Sequence, residues 1–154
     1  MARDRGSILP LVPVLILVLM LLGGLVVDAG RQLNARSQAQ SYAEEAARAG
    51  ATAVDPADPD LTVLPDVARQ RVDAYCRTVL ASSRDEVTRC RFVGITSTTT
   101  HCDGGDQVRA IVVEARVEMR VPTTLLGMVG LQELHATGDA RARPYEGVTA
   151  ADAC

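Results

Sequence analysis

The sequence predicts an α+β protein: a long N-terminal helix that crosses a membrane and continues beyond it, a second helix, then a small antiparallel sheet of about three strands. Three observations carry this. Residues Ile8 to Val27 are twenty consecutive uncharged, mostly apolar residues. Arg31 to Val54 is Ala-rich and free of proline, which favours helix. From Thr88 onward the apolar period changes from that of a helix to two, the period of a strand.

A helix of twenty residues is about 30 Å long, enough to span the hydrocarbon core of a bilayer. A cleaved signal peptide is the competing reading, with Val27-Asp28-Ala29 as its best cleavage site. The run exceeds the roughly 7–15 apolar residues of a signal peptide, however, and that site carries an acid. Arg3 and Arg5 precede the run, opposed by Asp4 alone, whereas just after it Asp28, Glu44 and Glu45 outnumber Arg31 and Arg36 by one. The positive-inside rule then keeps residues 1–7 as a cytoplasmic head, 8–27 as the span, and sends the remainder outside. The expected location is the cell membrane, single-pass, in contact with the lipid bilayer. Asp28 and Arg31 follow the span at i,i+3. They read as a polar stop and its partner at the membrane interface, or as a contact to another membrane subunit.

Residues 28–54 are expected to form an extracytoplasmic extension of the helix. Ala35, Ala39, Tyr42, Ala46, Ala49 and Ala53 recur at spacings of 4, 3, 4, 3 and 4. This is a helix-packing seam with a 3.5-residue period, unless common alanines fell there by chance. Residues 55–64, opening with DPADPD, form a linker. The second helix runs from about Pro65 to Ser82, with Leu64, Val67, Ala68, Val72, Tyr75, Cys76, Val79 and Leu80 on one side. Pro65 suits a first helical turn.

Thr88 to Thr99 reads as a strand and HCDGGD, His101 to Asp106, as a turn. Val108 to Val121 is the clearest strand, with Ile111, Val113, Ala115, Val117, Met119 and Val121 on one face and Glu114, Arg116, Glu118 and Arg120 on the other. PTTLLGMVG, Pro122 to Gly130, is an apolar loop or short helical turn. Glu133 to Arg143 alternates again, with Leu134, Ala136, Gly138, Ala140 and Ala142 inward. The α+β domain thus covers 65–143, and 144–154 is an irregular tail. One apolar sheet face needs cover, and the helices from Arg31 to Ser82 are available to supply it.

Beyond the span lie 127 residues, enough for one small domain. The chain has 19 acids and 16 basic residues, all arginine, for a net charge of −3, so a basic nucleic-acid binder is excluded. One Phe, no Trp and three Tyr leave a core of Val, Leu and Ala. Such a thin core calls for disulfides or partners. The disulfide candidates are Cys76, Cys90, Cys102 and Cys154, all on the outer side, where disulfides persist. Their spacing fits no zinc site. The topology favours Cys76–Cys90 across a short loop and Cys102–Cys154 at the hairpin tip, with an unpaired Cys154 or an intermolecular bond as the alternative.

No catalytic constellation is present: there is no Gly-rich phosphate loop and no G-x-S-x-G, and Gly104-Gly105 is turn chemistry. His101 lies in a turn beside Cys102, and His135 on the polar face of a strand. Both read as solvated surface residues rather than bases or ligands. Catalytic and metal residues, cofactors and small-molecule substrates are expected to be none.

The segment RDRGSILPLVPVLILVLMLLGGLVVDAGRQLNARSQAQSYAEEAARAGA resembles the amino-terminal region of TadE/TadG-like proteins, pseudopilin-like components of the tight-adherence (Flp) pilus assembly system, particularly in actinobacteria. Arg5-Gly6, Val27-Asp28-Ala29-Gly30-Arg31 and Ala43 to Ala51 carry the likeness, and RVPTTLLGMVGL with HATGDARARP looks like the family's closing strands. The resemblance implies a pilin-like fold and a membrane-anchored assembly role without enzymatic activity. It also implies other membrane or pilus-assembly subunits as partners of the N-terminal helix. Prepilin-type cleavage would fall between Gly6 and Ser7. The family's processed members often carry Glu at the fifth mature position, which here is Leu11. The competing function is a bitopic binding module with a disulfide-stabilised sheet unrelated to pili.

Overall fold

A computed structural model describes residues 11–58, 62–83, 86–101 and 107–144. Helix α1 spans Leu11–Ala51 without a break, and α2 spans Pro65–Ser82. Strands β1 (Val87–His101), β2 (Gln107–Pro122) and β3 (Glu133–Ala142) form one antiparallel sheet in the order β1-β2-β3. A 3-10 turn, Leu126–Val129, lies between β2 and β3. The molecule is therefore the α+β arrangement its periodicities imply.

Helix α1 ends at Ala51, three residues short of the expected Val54. Val54 instead bridges Val63 in antiparallel fashion, and the Asp55 N–H donates to the Thr62 carbonyl at 3.0 Å. The pair brings the two ends of the acidic linker side by side. Pro65 starts α2, and the Ser83 N–H caps its end on the Val79 carbonyl at 3.0 Å. Leu64 and Leu80, expected on the apolar side of α2, are exposed. They lie at the two ends of the helix, so its buried line narrows to Ala68, Val72, Cys76 and Val79.

Both helices cover the same sheet face. Val113, Ala115, Val117, Met119 and Val121 of β2 are buried with Ala136 and Ala140 of β3. The outer half of α1 meets them with Ala35, Ala39, Ala43, Ala46, Ala47 and Ala51. Small residues bury little area each, but they let backbones approach. A Cβ on Gly138 would stand 2.3 Å from the Ala39 carbonyl carbon and oxygen, closer than any real contact, so only glycine allows this crossing. Gly50 does the same under Val113 and Val72, whose methyls would meet its Cβ at 2.7 and 2.8 Å. A disulfide from Cys76 to Cys90 ties α2 to β1. It closes a 14-residue separation and, in the chain-entropy account, adds about 3 kcal/mol.

The opposite sheet face is mostly polar, with Val112 the buried exception on β2. Arg89–Glu118, Arg116–Asp139, Arg120–Glu133 and Arg141–Glu114 pair across neighbouring strands. Exposed pairs of this kind contribute at most about 1 kcal/mol each. They keep that face solvated and help fix the register.

Candidate membrane and assembly interface

The lower part of α1 has no packing partner for most of its length. From Leu11 to Val27 its Leu, Val, Ile and Met side chains are all exposed, between 44 and 71 %. Among the described residues α1 is the one helix long and apolar enough to cross a membrane. The upper part of the same helix is docked on the sheet. One rod therefore joins an unpaired apolar segment to a packed domain with no loop between them.

The docking follows a regular course down the helix. The Gln40 side-chain amide donates to the Asp139 carbonyl at 3.0 Å, and eight residues lower Gln32 donates to the His135 carbonyl at 2.9 Å. Eight helical residues rise about 12 Å, and four strand residues about 13 Å, so β3 runs nearly along the helix axis. Because β3 is an edge strand, its outward carbonyls would otherwise be left open. The two glutamines occupy those of His135 and Asp139.

Below Gln32 the ladder continues into the β2–β3 loop. Asp28 is 2 % exposed although charged. Its Oδ1 accepts the Thr124 N–H at 2.9 Å, and its Oδ2 accepts those of Leu125 at 3.0 Å and Leu126 at 2.9 Å. These are the free amides that open the 3-10 turn, and a carboxylate is their natural acceptor. The Leu126 and Thr124 bonds, with lesser help from Leu125 and the charge of Arg31, hold the Asp28 carboxyl below its ordinary range against the opposing effect of burial. Gly130 closes the turn at φ 95°, a backbone conformation that suits glycine. One turn down the helix, Gly24 lies against Leu125: a Cβ there would fall 1.7 Å from Leu125 Cδ1.

Asp28 and Arg31 were read as an i,i+3 polar pair at the interface, or as a contact to another membrane subunit. Both reach the same loop, Arg31 donating to the Thr124 hydroxyl while Asp28 takes the backbone amides, and the Arg31 charge still favours the Asp28 carboxylate. A carboxylate with three aligned N–H donors gains more than it would from one exposed arginine. The sequence held a signal for this in TTLLG, polar residues before a turn, but nothing local linked it to Asp28 96 residues earlier.

Of the predicted seam, Ala35, Ala39, Ala46 and Ala53 are buried. Tyr42 and Ala49 lie at its margin, half-buried. The line instead runs through Ala43, Ala47 and Gly50. A 3.5-residue period belongs to supercoiled helix pairs and drifts about 20° per heptad from a straight helix. Here the partners are a sheet and α2, and the helix presents a wider stripe. Tyr75 of α2 donates its hydroxyl to Glu45 Oε2 at 2.7 Å. Burial, then that carboxylate, push the phenol upward. His135 is exposed on β3, and His101 ends β1. Among the described residues no three His, Cys, Asp or Glu side chains gather where they could hold a metal. Gly6, Ser7, Cys102 and Cys154, with the expected Cys102–Cys154 bond, lie outside the described residues, whereas Leu11 opens α1 as described.

No curated protein and no solved structure matches the chain. Residues 6–53, which comprise the apolar run, Asp28 and most of the alanine line, match the model of the family described as "Putative Flp pilus-assembly TadE/G-like".

Proposed function

We propose that this chain is a membrane-anchored, non-enzymatic, pseudopilin-like component of a tight-adherence (Flp) pilus assembly or secretion system. The observation that carries the reading is the coincidence of the family match over residues 6–53 with one continuous helix. Its stretch from Leu11 to Val27 offers only apolar side chains, and the remainder holds a sheet domain. In this reading residues 1–7 are a cytoplasmic head, 8–27 cross the bilayer, and 28–54 carry the domain 65–143 on the outer side beyond the 55–64 linker. The exposed apolar flank of α1 meets lipid and the helices of other assembly subunits. Leu11 stands where a polymerising subunit would often carry Glu, which favours an accessory or minor role.

The test is deletion in the native host followed by imaging of surface filaments, with complementation. Loss or shortening of filaments is expected. Unaltered piliation with every other gene of the system intact would refute the assembly role and leave a bitopic binding module with the same fold. Intact mass of the membrane-extracted protein supplies the processing state, a start at Ser7 marking prepilin-type cleavage.

A further inference from the structure

We infer that the β2–β3 loop, Pro122 to Leu131, is a second membrane element that inserts into the outer leaflet beside the transmembrane helix. This rests on reading residues 8–27 as the span. Three independent observations lead to it. The first is depth. The contacts between the sheet and α1 descend from Gln40–Asp139 through Gln32–His135 to Asp28–Thr124, and end with Leu125 on Gly24. Gly24 lies three residues inside the end of the apolar run, about 5 Å below the interface at helical rise. A loop packed there shares the depth of the acyl-chain boundary that interfacial segments occupy.

The second is composition. From Val121 to Gln132 no side chain is ionisable. The charges resume on both sides at once, with Arg120 and Glu133 paired at 3.3 Å across the mouth of the loop. With Arg31 on the neighbouring helix, they form a charged collar at headgroup level. Leu131 is 55 % exposed beyond that collar. In water such a leucine is an apolar cost, whereas in lipid it is an anchor.

The third is the backbone. Non-helical chain enters lipid only where its polar groups are satisfied within the protein. Here the Thr123 and Leu131 N–H groups donate to the Gln132 and Leu126 carbonyls at 3.1 and 3.0 Å, and Gly130 donates to Gly127 at 3.2 Å. The Thr124, Leu125 and Leu126 amides are taken by Asp28. The buried carboxylate thereby neutralises the open amides of a loop that would otherwise have to keep them in water. The occupant is lipid, acyl chain below and headgroup at the collar.

The chain contains no Trp, so a single introduced Trp reports alone. Full-length Leu131→Trp, Leu19→Trp and Val93→Trp proteins would be reconstituted into phosphatidylcholine–phosphatidylglycerol vesicles. One set of vesicles carries lipid brominated near the headgroup end of the acyl chain, the other lipid brominated near the chain end. Val93 is an exposed β1 residue that lines one cleft with Gln40, Glu44 and Arg48, helix positions about 20 Å or more above the interface by helical rise. The expected result is that Leu131→Trp loses most of its emission to the shallow bromines, Leu19→Trp to the deep ones, and Val93→Trp to neither. Quenching of Leu19→Trp with an unquenched Leu131→Trp would overturn the inserted loop while leaving the anchor in place. A blue-shifted but unquenched Leu131→Trp would likewise overturn it, since protein rather than lipid would then cover the loop. Equal quenching at Leu131 and Val93 would overturn it too, because the whole domain would then lie on the surface. An unquenched Leu19→Trp would remove the span itself and the inference with it.

Discussion

Replacing Gly138 by alanine tests how closely α1 and β3 are joined. The added Cβ would stand 2.3 Å from the Ala39 carbonyl group and 2.4 Å from the Gln40 nitrogen, whereas ordinary contact begins at 3.4 Å. Both sides are backbone, so no side chain can swing aside. The strand and the helix must part by about 1.1 Å, the difference between those two distances. A gap of that size forfeits a quarter to a half of the dispersion energy at the facing alanines, Ala39, Ala43, Ala136 and Ala140. It also stretches the Gln32 and Gln40 bonds, now 2.9 and 3.0 Å, toward the limit of hydrogen bonding. Overpacking costs about 1–3 kcal/mol and one weakened bond about 1 kcal/mol, so about 2–4 kcal/mol is expected. That is a large part of the stability of a small domain. Urea unfolding of the detergent-solubilised protein, followed by circular dichroism, gives the shift in midpoint at unchanged slope. Gly30→Ala is the matched control, because nothing lies within 4 Å of its Cβ position, and a helical Gly→Ala exchange there should stabilise by about 0.5–1 kcal/mol. If Gly138→Ala shifts stability no more than a surface substitution, about 0.5 kcal/mol, the close crossing is wrong.

Serine at both Cys76 and Cys90 removes the bond between α2 and β1 and should lower stability by about 3 kcal/mol, from the length of the loop it closes; the same urea titration measures it. Asp28→Ala should release the Thr124, Leu125 and Leu126 amides, seen as faster hydrogen exchange at those three positions with the β2 amides unaffected. In the parent chain the folded Asp28 pKa is lowered, so its contribution is present above the ordinary carboxylate pKa and is lost as pH falls through the depressed folded value. Exchange protection of the loop should therefore persist at neutral pH and fade only in acid below the usual aspartate range, and a loss near neutrality would contradict the geometry. Gly130→Ala forces a Cβ onto a residue at φ 95° and should cost about 1–2 kcal/mol, with loss of loop protection as its local signature.

What could be read from the residues was whatever depends on period. The strict alternation from Ile111 to Val121 defines the inward face of β2, and Leu134 to Ala142 defines that of β3, because a strand offers two faces and burial fills only one. The break in helix at the acidic linker and the start of α2 at Pro65 are local chemistry. The course of the buried line on α1 was less legible. In an alanine-rich helix several lines are equally apolar, and only the partner selects among them; a sheet and a second helix chose Ala43, Ala47 and Gly50 where a helix partner would have favoured Tyr42 and Ala49. Gly138 fits the inward alternation, yet its reason, backbone against backbone, needs the third dimension. Asp28 was visible as an acid out of place. Its partners are amides, which every residue carries, so no pattern in the sequence could point to Thr124, Leu125 and Leu126.

The absence of any break in α1 has a mechanical consequence. The helix is 41 residues long, and the sheet and its β2–β3 loop are fastened to it at Asp28, Gln32, Ala39 and Gln40, so no hinge separates the apolar segment from the domain. Orientation is then shared: whatever angle the lower segment takes to the bilayer normal, the domain takes too. The helix end at Ala51 lies 24 residues beyond Val27, a lever arm of about 36 Å. A tilt of about 20°, ordinary for a single helix, swings that end sideways by about 12 Å. In the proposed membrane reading, a force applied to the lower segment is thus delivered as displacement far above it, and a load on the domain is felt as torque on that segment.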